Sequence, residues 1–266
     1  MSNNYKIKKI LSIIVALFIG NFLFIIIGFL FKTQFQTLIP NPNYLSLACQ
    51  VITALLATAC VLIFRKTKIY VLNGKVLKEG FLTGLPLIIT YSLLLFGSLT
   101  DLPGKNLIPA SEIVCVVLEW ILIGVAEESL FRGVVYELCA DIFGSTSRKG
   151  VCLTFVASSL IFGLCHLTNL LAPGISGFSV VFQVASAMAL GLLLAAIKFR
   201  AGGSIWPVVF IHALIDGSSF ISSGMLWGGT QVSSINNLNP GTLLLIPVFI
   251  GISVFLMRKG KTPGLT

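Results

Sequence analysis

Charge is scarce in this chain. Only 10% of its 266 residues are Asp, Glu, Lys or Arg, and nine are acidic. A soluble domain carries about 25% charge, so a water-soluble globule is excluded. Histidine is scarcer still, with His166 and His212 the only two. No His-Glu-x-x-His occurs, which excludes the usual helical zinc-protease motif. Of the six cysteines (Cys49, Cys60, Cys115, Cys139, Cys152 and Cys165) no two form a Cys-x-x-Cys pair, and they read as small buried hydrophobes. Cys165 stands beside His166, but neighbours on a helix point about 100° apart, which argues against a thiol nucleophile activated by that ring.

What is plentiful is apolar surface. Hydrophobic residues make up 56% of the chain and the mean hydropathy is +1.00. Apolar runs of spanning length fall at about 10–31, 44–64, 80–99, 111–140, 150–167, 178–197, 205–221 and 242–257. This pattern predicts an all-α, polytopic membrane helix bundle with about eight transmembrane helices, forming one domain over residues 1–266 with the lipid bilayer around it. The first run is too long for a signal-peptide core and lacks a small-residue cleavage site, so it is expected to remain as a span. No internal repeat is visible. Asn73-Gly74, between 70–72 and 75–77, is expected to turn a small hairpin. The polar loop 222–241 is expected to face outside.

The placement of basic residues sets an orientation. With the N-terminus in the cytoplasm, all 18 except Lys32, Lys105 and Arg132 fall in inside segments. Both termini are then cytoplasmic in a multi-pass protein of the cell membrane. The net charge of +9 follows without a nucleic-acid partner.

Against this background, Glu127-Glu128-Ser129-Leu130-Phe131-Arg132 interrupts one of the most apolar stretches. A charge at that depth costs roughly 2.5–3.5 kcal/mol on insertion scales, so such residues point to function. Glu128 and Arg132 are four apart with Glu first, the favourable direction for a helical ion pair. That pairing leaves Glu127 free as a general base. Two further motifs are Phe162-x-x-x-His166 and His212-x-x-x-Asp216, whose spacing stacks each pair on one helix face. Counted from the cytoplasmic side, Glu127, His166, His212 and Asp216 reach similar depths, about 12–18 Å, if the fourth and fifth runs project from the membrane. Glu119 lies about 80° round the same helix from Glu127, as a cavity-lining or ion-paired residue. Glu112 is expected at the solvated outer surface.

Two hydrolytic routes are open to this set. Glu127, His166, His212 and Asp216 can bind Zn²⁺ and activate a water. Alternatively Glu127 and His166 activate water directly while His212 and its neighbour stabilise the oxyanion. Two competing readings are interhelical hydrogen-bond glue and a proton relay in a transporter. The first fits less well with five ionisable residues in three separate runs. The second fits less well without a repeat or a broken helix.

The three motifs, in this order and each on its own membrane helix, resemble the CPBP family, the CAAX-prenyl-protease type II and bacteriocin-processing group also called ABI proteins. The resemblance covers Glu127 to Asp216, within a core of about 111–222. It implies a hydrolase: an intramembrane endopeptidase of metalloprotease type with a peptide or protein substrate in or at the membrane. It also implies Glu127 and His166 as the water-activating residues and His212 with Asp216 as the second pair. Glu128 and Arg132 complete the first motif and Phe162 supports the second. Because bacterial members are tied to bacteriocin processing and self-immunity, a non-catalytic immunity or regulatory protein is the alternative. One position departs from the pattern: Asp216 stands where the prenyl-protease branch typically carries Asn. An ionised Asp cannot donate to an oxyanion, so it acts protonated, as a metal ligand, or by orienting His212.

Overall fold

A computed structural model describes residues 3–236 and 240–258. Among them there are helices and no strand, as lipid requires of a chain whose backbone must satisfy its own hydrogen bonds. The first helix, α1, is Asn3–Leu30, and a short α2, Lys32–Leu38, follows. Then come α3 (Pro42–Ile63) and α4 (Gly74–Thr100). Next is α5, residues 110–143, followed by α6 (Arg148–Cys165) and α7 (Gly177–Arg200). The last three are α8 (Trp206–Ser222), α9 (Gln231–Asn236) and α10 (Pro240–Leu256).

Each apolar run of the sequence falls on a helix. Five helices are long and apolar enough to cross a membrane: Asn3–Leu30, Pro42–Ile63, Gly74–Thr100, Arg148–Leu171 and Gly177–Arg200. Trp206–Ser222 and Leu243–Leu256 are shorter apolar helices. Residues 237–239 of the polar loop, and Lys259 and Lys261 of the basic C-terminal segment, lie outside the described residues. The six cysteines are free.

The predicted hairpin at Asn73-Gly74 is not formed. Asn73 instead caps α4, its side chain accepting from the backbone N–H of Lys75 and Val76. An Asx cap satisfies two orphan helix donors, whereas a two-strand turn here would have left its ladder groups without a sheet. Asn41 and Ser147 start α3 and α6 in the same way. Helix α5 closes at Gly144, whose φ of +90° is one that a side chain would oppose.

The bundle packs α6 on α7, α8 on both α4 and α5, α3 on α5, and α10 on α7. Without a hydrophobic drive inside lipid, small residues decide how close helices come. Gly124 of α5 is the instructive position. A Cβ there would lie 3.0 Å from the Val209 carbonyl oxygen and 3.6 Å from His212 Cβ on α8. Its missing side chain therefore lets α5 and α8 touch backbone to backbone, one turn before Glu127 and Glu128.

One end of the bundle is held by charge. Asp141, on the tail of α5, accepts from Lys9 of α1 (2.7 Å) and from Lys66 after α3 (3.0 Å). Lys198 of α7 is buried, paired with Glu137 and set over the Tyr136 ring at 3.9 Å. Burial pushes the Asp141 carboxyl up, but hydrogen bonds from Lys9 and Lys66 outweigh it and hold it below the usual carboxylate range. A depressed carboxyl stabilises the fold above the unfolded-state value and loses that contribution as pH falls through its own. Asp141→Asn should therefore cost on the order of 1 kcal/mol at pH 7. The difference from wild type should close as pH drops below about 4. Thermal unfolding in detergent across pH 8 to 3 measures both.

Candidate active site

The acidic motif does not continue as a plain α-helix. Residues Ala110–Glu127 are α-helical, Glu128–Val135 widen into a π-helical segment, and Tyr136–Phe143 return to α. Every residue of the π segment is buried. Such segments cluster at functional sites, and this one is the local feature that sequence spacing did not show.

Glu128 is fully buried and Arg132 is 3% exposed. Arg132 Nη1 donates to Glu128 Oε1 at 2.9 Å, as the four-residue spacing predicts. The same oxygen accepts from His212 Nδ1 at 2.7 Å. Glu128 is thus shared between a guanidinium and an imidazole, a link that spacing within one helix could not reveal. Its acceptor fixes which ring nitrogen of His212 carries a proton, namely Nδ1. His212 Nε2 then faces Glu127 Oε2 at 3.5 Å and Asp216 Oδ2 at 3.6 Å. The pairing of His212 with Asp216 on one face of α8 matches the sequence expectation.

His166 sits at the C-terminal end of α6, where the chain tightens into a 3₁₀ turn, His166–Leu171. His166 Nδ1 lies 3.0 Å from the Phe162 carbonyl oxygen, which can only accept. A neutral His166 therefore carries its proton on Nδ1 and keeps the Nε2 lone pair. Phe162 is the shared wall. Its ring meets His166 edge-on at 4.9 Å and His212 edge-on at 6.3 Å, and the Arg132 guanidinium lies 4.0 Å from its centroid. Such a cation–π contact helps hold a desolvated guanidinium.

Glu127, His166, His212 and Asp216 line one cavity of about 630 Å³. Glu127 Oε2 and Asp216 Oδ2 are buried oxygens with no hydrogen-bond partner among the described residues. Half-buried carboxylates with such oxygens suit a wet site. The cavity also takes in Glu119, which the sequence reading left as either lining or ion-paired. It is lining, and its Oε1 accepts from Ser46 Oγ at 2.7 Å and from Gln231 Nε2. Glu112 accepts from Asn43 at 2.5 Å rather than standing free. Ser46 and Gln231 were missed because nothing in their sequence context marks them. A metal does not fit this set well: among the described residues no group of three or more His, Cys, Asp or Glu is arranged to hold an ion.

The family model for type II CAAX prenyl endopeptidases, described as Rce1-like, matches residues 109–218. This segment is thus similar to the Rce1-like domain of the CAAX-protease family. The match opens at the start of α5 and closes two residues after Asp216, so it contains all three motifs. The apolar helices, together with this similarity, mark a multi-pass membrane protein. No curated protein and no solved structure matches the chain.

The buried chain from Arg132 through Glu128 to His212 should be structural as well as chemical. Removing one partner of a buried pair strands the other. Glu128→Ala and Arg132→Ala should each destabilise by about 3–5 kcal/mol. The double variant should cost less than the two losses added together. Unfolding by SDS titration from mixed micelles measures all three.

Proposed function

We propose that this protein is an intramembrane endopeptidase that hydrolyses a peptide bond with Glu127 and His166 as the water-activating pair. The observation that carries this reading is the convergence on one cavity of a carboxylate oxygen without a partner and two imidazoles with fixed Nδ1 contacts. The similarity to the Rce1-like domain supports it.

The reaction uses this chain's own groups. Glu127 removes a proton from a water that His166 Nε2 holds by accepting its second O–H. The water oxygen bonds to the scissile carbonyl carbon, and the carbonyl oxygen becomes an oxyanion. His212, doubly protonated, donates through Nδ1 to Glu128 and through Nε2 toward the oxyanion. Asp216 holds that Nε2–H in line rather than donating itself, which resolves the departure from Asn at this position. Collapse of the adduct breaks the C–N bond, and Glu127 returns its proton to the leaving amine. Acid and amine products balance the water consumed.

Direct carboxylate–imidazole catalysis is preferred over Zn²⁺ because no three His, Cys, Asp or Glu are grouped to hold an ion among the described residues. The orientation proposed is both termini in the cytoplasm, from the basic-residue distribution. Many cavity residues lie in the half of their helix away from Lys9, Lys66 and Lys198, such as 46–53 of α3 and 179–190 of α7, with Glu127 and His212 near mid-helix. Substrate then enters from the non-cytoplasmic half of the bundle.

Glu127→Gln and His166→Ala should each lower peptide cleavage by about 10²-fold or more. Both variants should remain in the membrane with unchanged extraction behaviour. Full activity in either overturns the assignment, and a cellular phenotype kept by Glu127→Gln favours a non-catalytic immunity or regulatory protein. Cleavage should also persist after treatment of purified enzyme with a strong zinc chelator. Its loss on chelation and return on adding Zn²⁺ would establish the metal route.

A further inference from the structure

The cavity is acidic in a basic protein. Although the chain carries a net charge of +9, Glu119, Glu127 and Asp216 line this space and, among the described residues, no Lys or Arg does. Glu127 and Asp216 are accounted for by the chemistry proposed above. Glu119 is not. It is 1% exposed, and its Oε1 is held by Ser46 and Gln231, one from α3 and one from α9. Its Oε2 is buried and has no hydrogen-bond partner among the described residues. A strut between helices needs only the satisfied oxygen. The second oxygen, kept in a low-dielectric wall of a cavity, is a costly feature unless a donor from a ligand meets it.

We propose that Glu119 is a specificity-determining subsite that binds an alkylammonium group of the peptide substrate, either a lysine side chain or a free α-amino group. This rests on the reading of the cavity as the peptide-cleaving site. Glu119 precedes Glu127 by eight residues on one helix, a rise of about 12 Å. An extended peptide advances about 3.3 Å per residue. The cation therefore sits three or four residues from the bond that is cut. Ser46 and Gln231 fix the carboxylate by donating to one oxygen, which leaves the other for the ligand. The acidic wall draws cationic peptides inward and disfavours acidic ones, a charge selection that acts at entry as well as in the bound state.

The test measures binding apart from cleavage. Fluorescein-labelled ten-residue peptides carry a single Lys, or an isosteric uncharged norleucine, walked through successive positions, with the N-terminus free or acetylated. They are titrated by fluorescence anisotropy into the His166→Ala protein, purified in detergent, with and without Glu119→Gln. The Glu119→Gln change is conservative in one respect: the amide oxygen can still accept from Ser46 and Gln231. The expected result is a Lys-over-norleucine preference of about tenfold or more at one register. An acetylation-sensitive preference with no Lys register assigns the site to an α-amino group instead. In either case Glu119→Gln should bring the preference below about twofold. Equal binding of charged and uncharged peptides, or a preference that survives Glu119→Gln in a folded protein, overturns the subsite. If Glu119→Gln does not fold, Glu119→Asp replaces it, and a Lys preference left undiminished by the shorter acid overturns the subsite. Absence of cleavage by the wild-type enzyme, with cationic binding intact, sinks the protease reading alone.

Discussion

The structure depends on one buried chain of charge, from Arg132 through Glu128 to His212. A guanidinium at 3% exposure inside an apolar bundle is tenable only if its charge is met. Glu128 meets the charge and Phe162 offers its π face. Because Glu128 also accepts from the His212 Nδ1–H, the same interaction ties α5 to α8 and sets an imidazole in one orientation. Gly124 permits that tie, since any Cβ there would press on the α8 backbone. Stability and site geometry are therefore not separable in this part of the molecule, and the residues that look most expensive are the ones that align the rest.

Much of this was legible in the residues. Apolar run lengths gave the helices because lipid leaves the backbone no other partner. The Glu128–Arg132 pair and the His212–Asp216 pair followed from helical spacing, and both are present. What was not legible is of a different kind. The π-helical widening at Glu128–Val135 depends on how α5 fits its neighbours, not on the local pattern. The bond between Glu128 and His212 joins positions 84 residues apart. Ser46 and Gln231 are ordinary polar residues in a sequence and become cavity residues only when α3 and α9 meet α5. At Asn73-Gly74 the same dipeptide serves as a turn or as a helix cap. The apolar stretch that follows, helical in a membrane chain, decides for the cap.

The two ends of the bundle carry opposite tasks. At one end Lys9, Lys66 and Lys198 are spent on Asp141 and Glu137, so the basic residues there are partly neutralised and anchor α1, α3 and α7 to the tail of α5. Toward the other end Glu119, Glu127 and Asp216 each keep a buried oxygen without a hydrogen-bond partner among the described residues. A chain with nine acidic residues thus uses some as clasps and keeps three as a cavity lining.

That division bears on why Asp is tolerated at position 216. In a site whose second imidazole were neutral with its proton on Nδ1, Nε2 would be an acceptor, and an adjacent Asp would face it lone pair to lone pair. Glu128 fixes the proton on Nδ1. The carboxylates of Glu127 and Asp216, at 3.5 and 3.6 Å from Nε2, are both met when Nε2 carries a proton as well, the state the proposed reaction uses. In the proposed reaction an Asn would supply its own N–H to the oxyanion, whereas Asp216 supplies charge that keeps His212 a donor on both nitrogens. The substitution moves the oxyanion's hydrogen bond from one side chain of the helical turn to the other, and the shared face of α8 is what makes the exchange available.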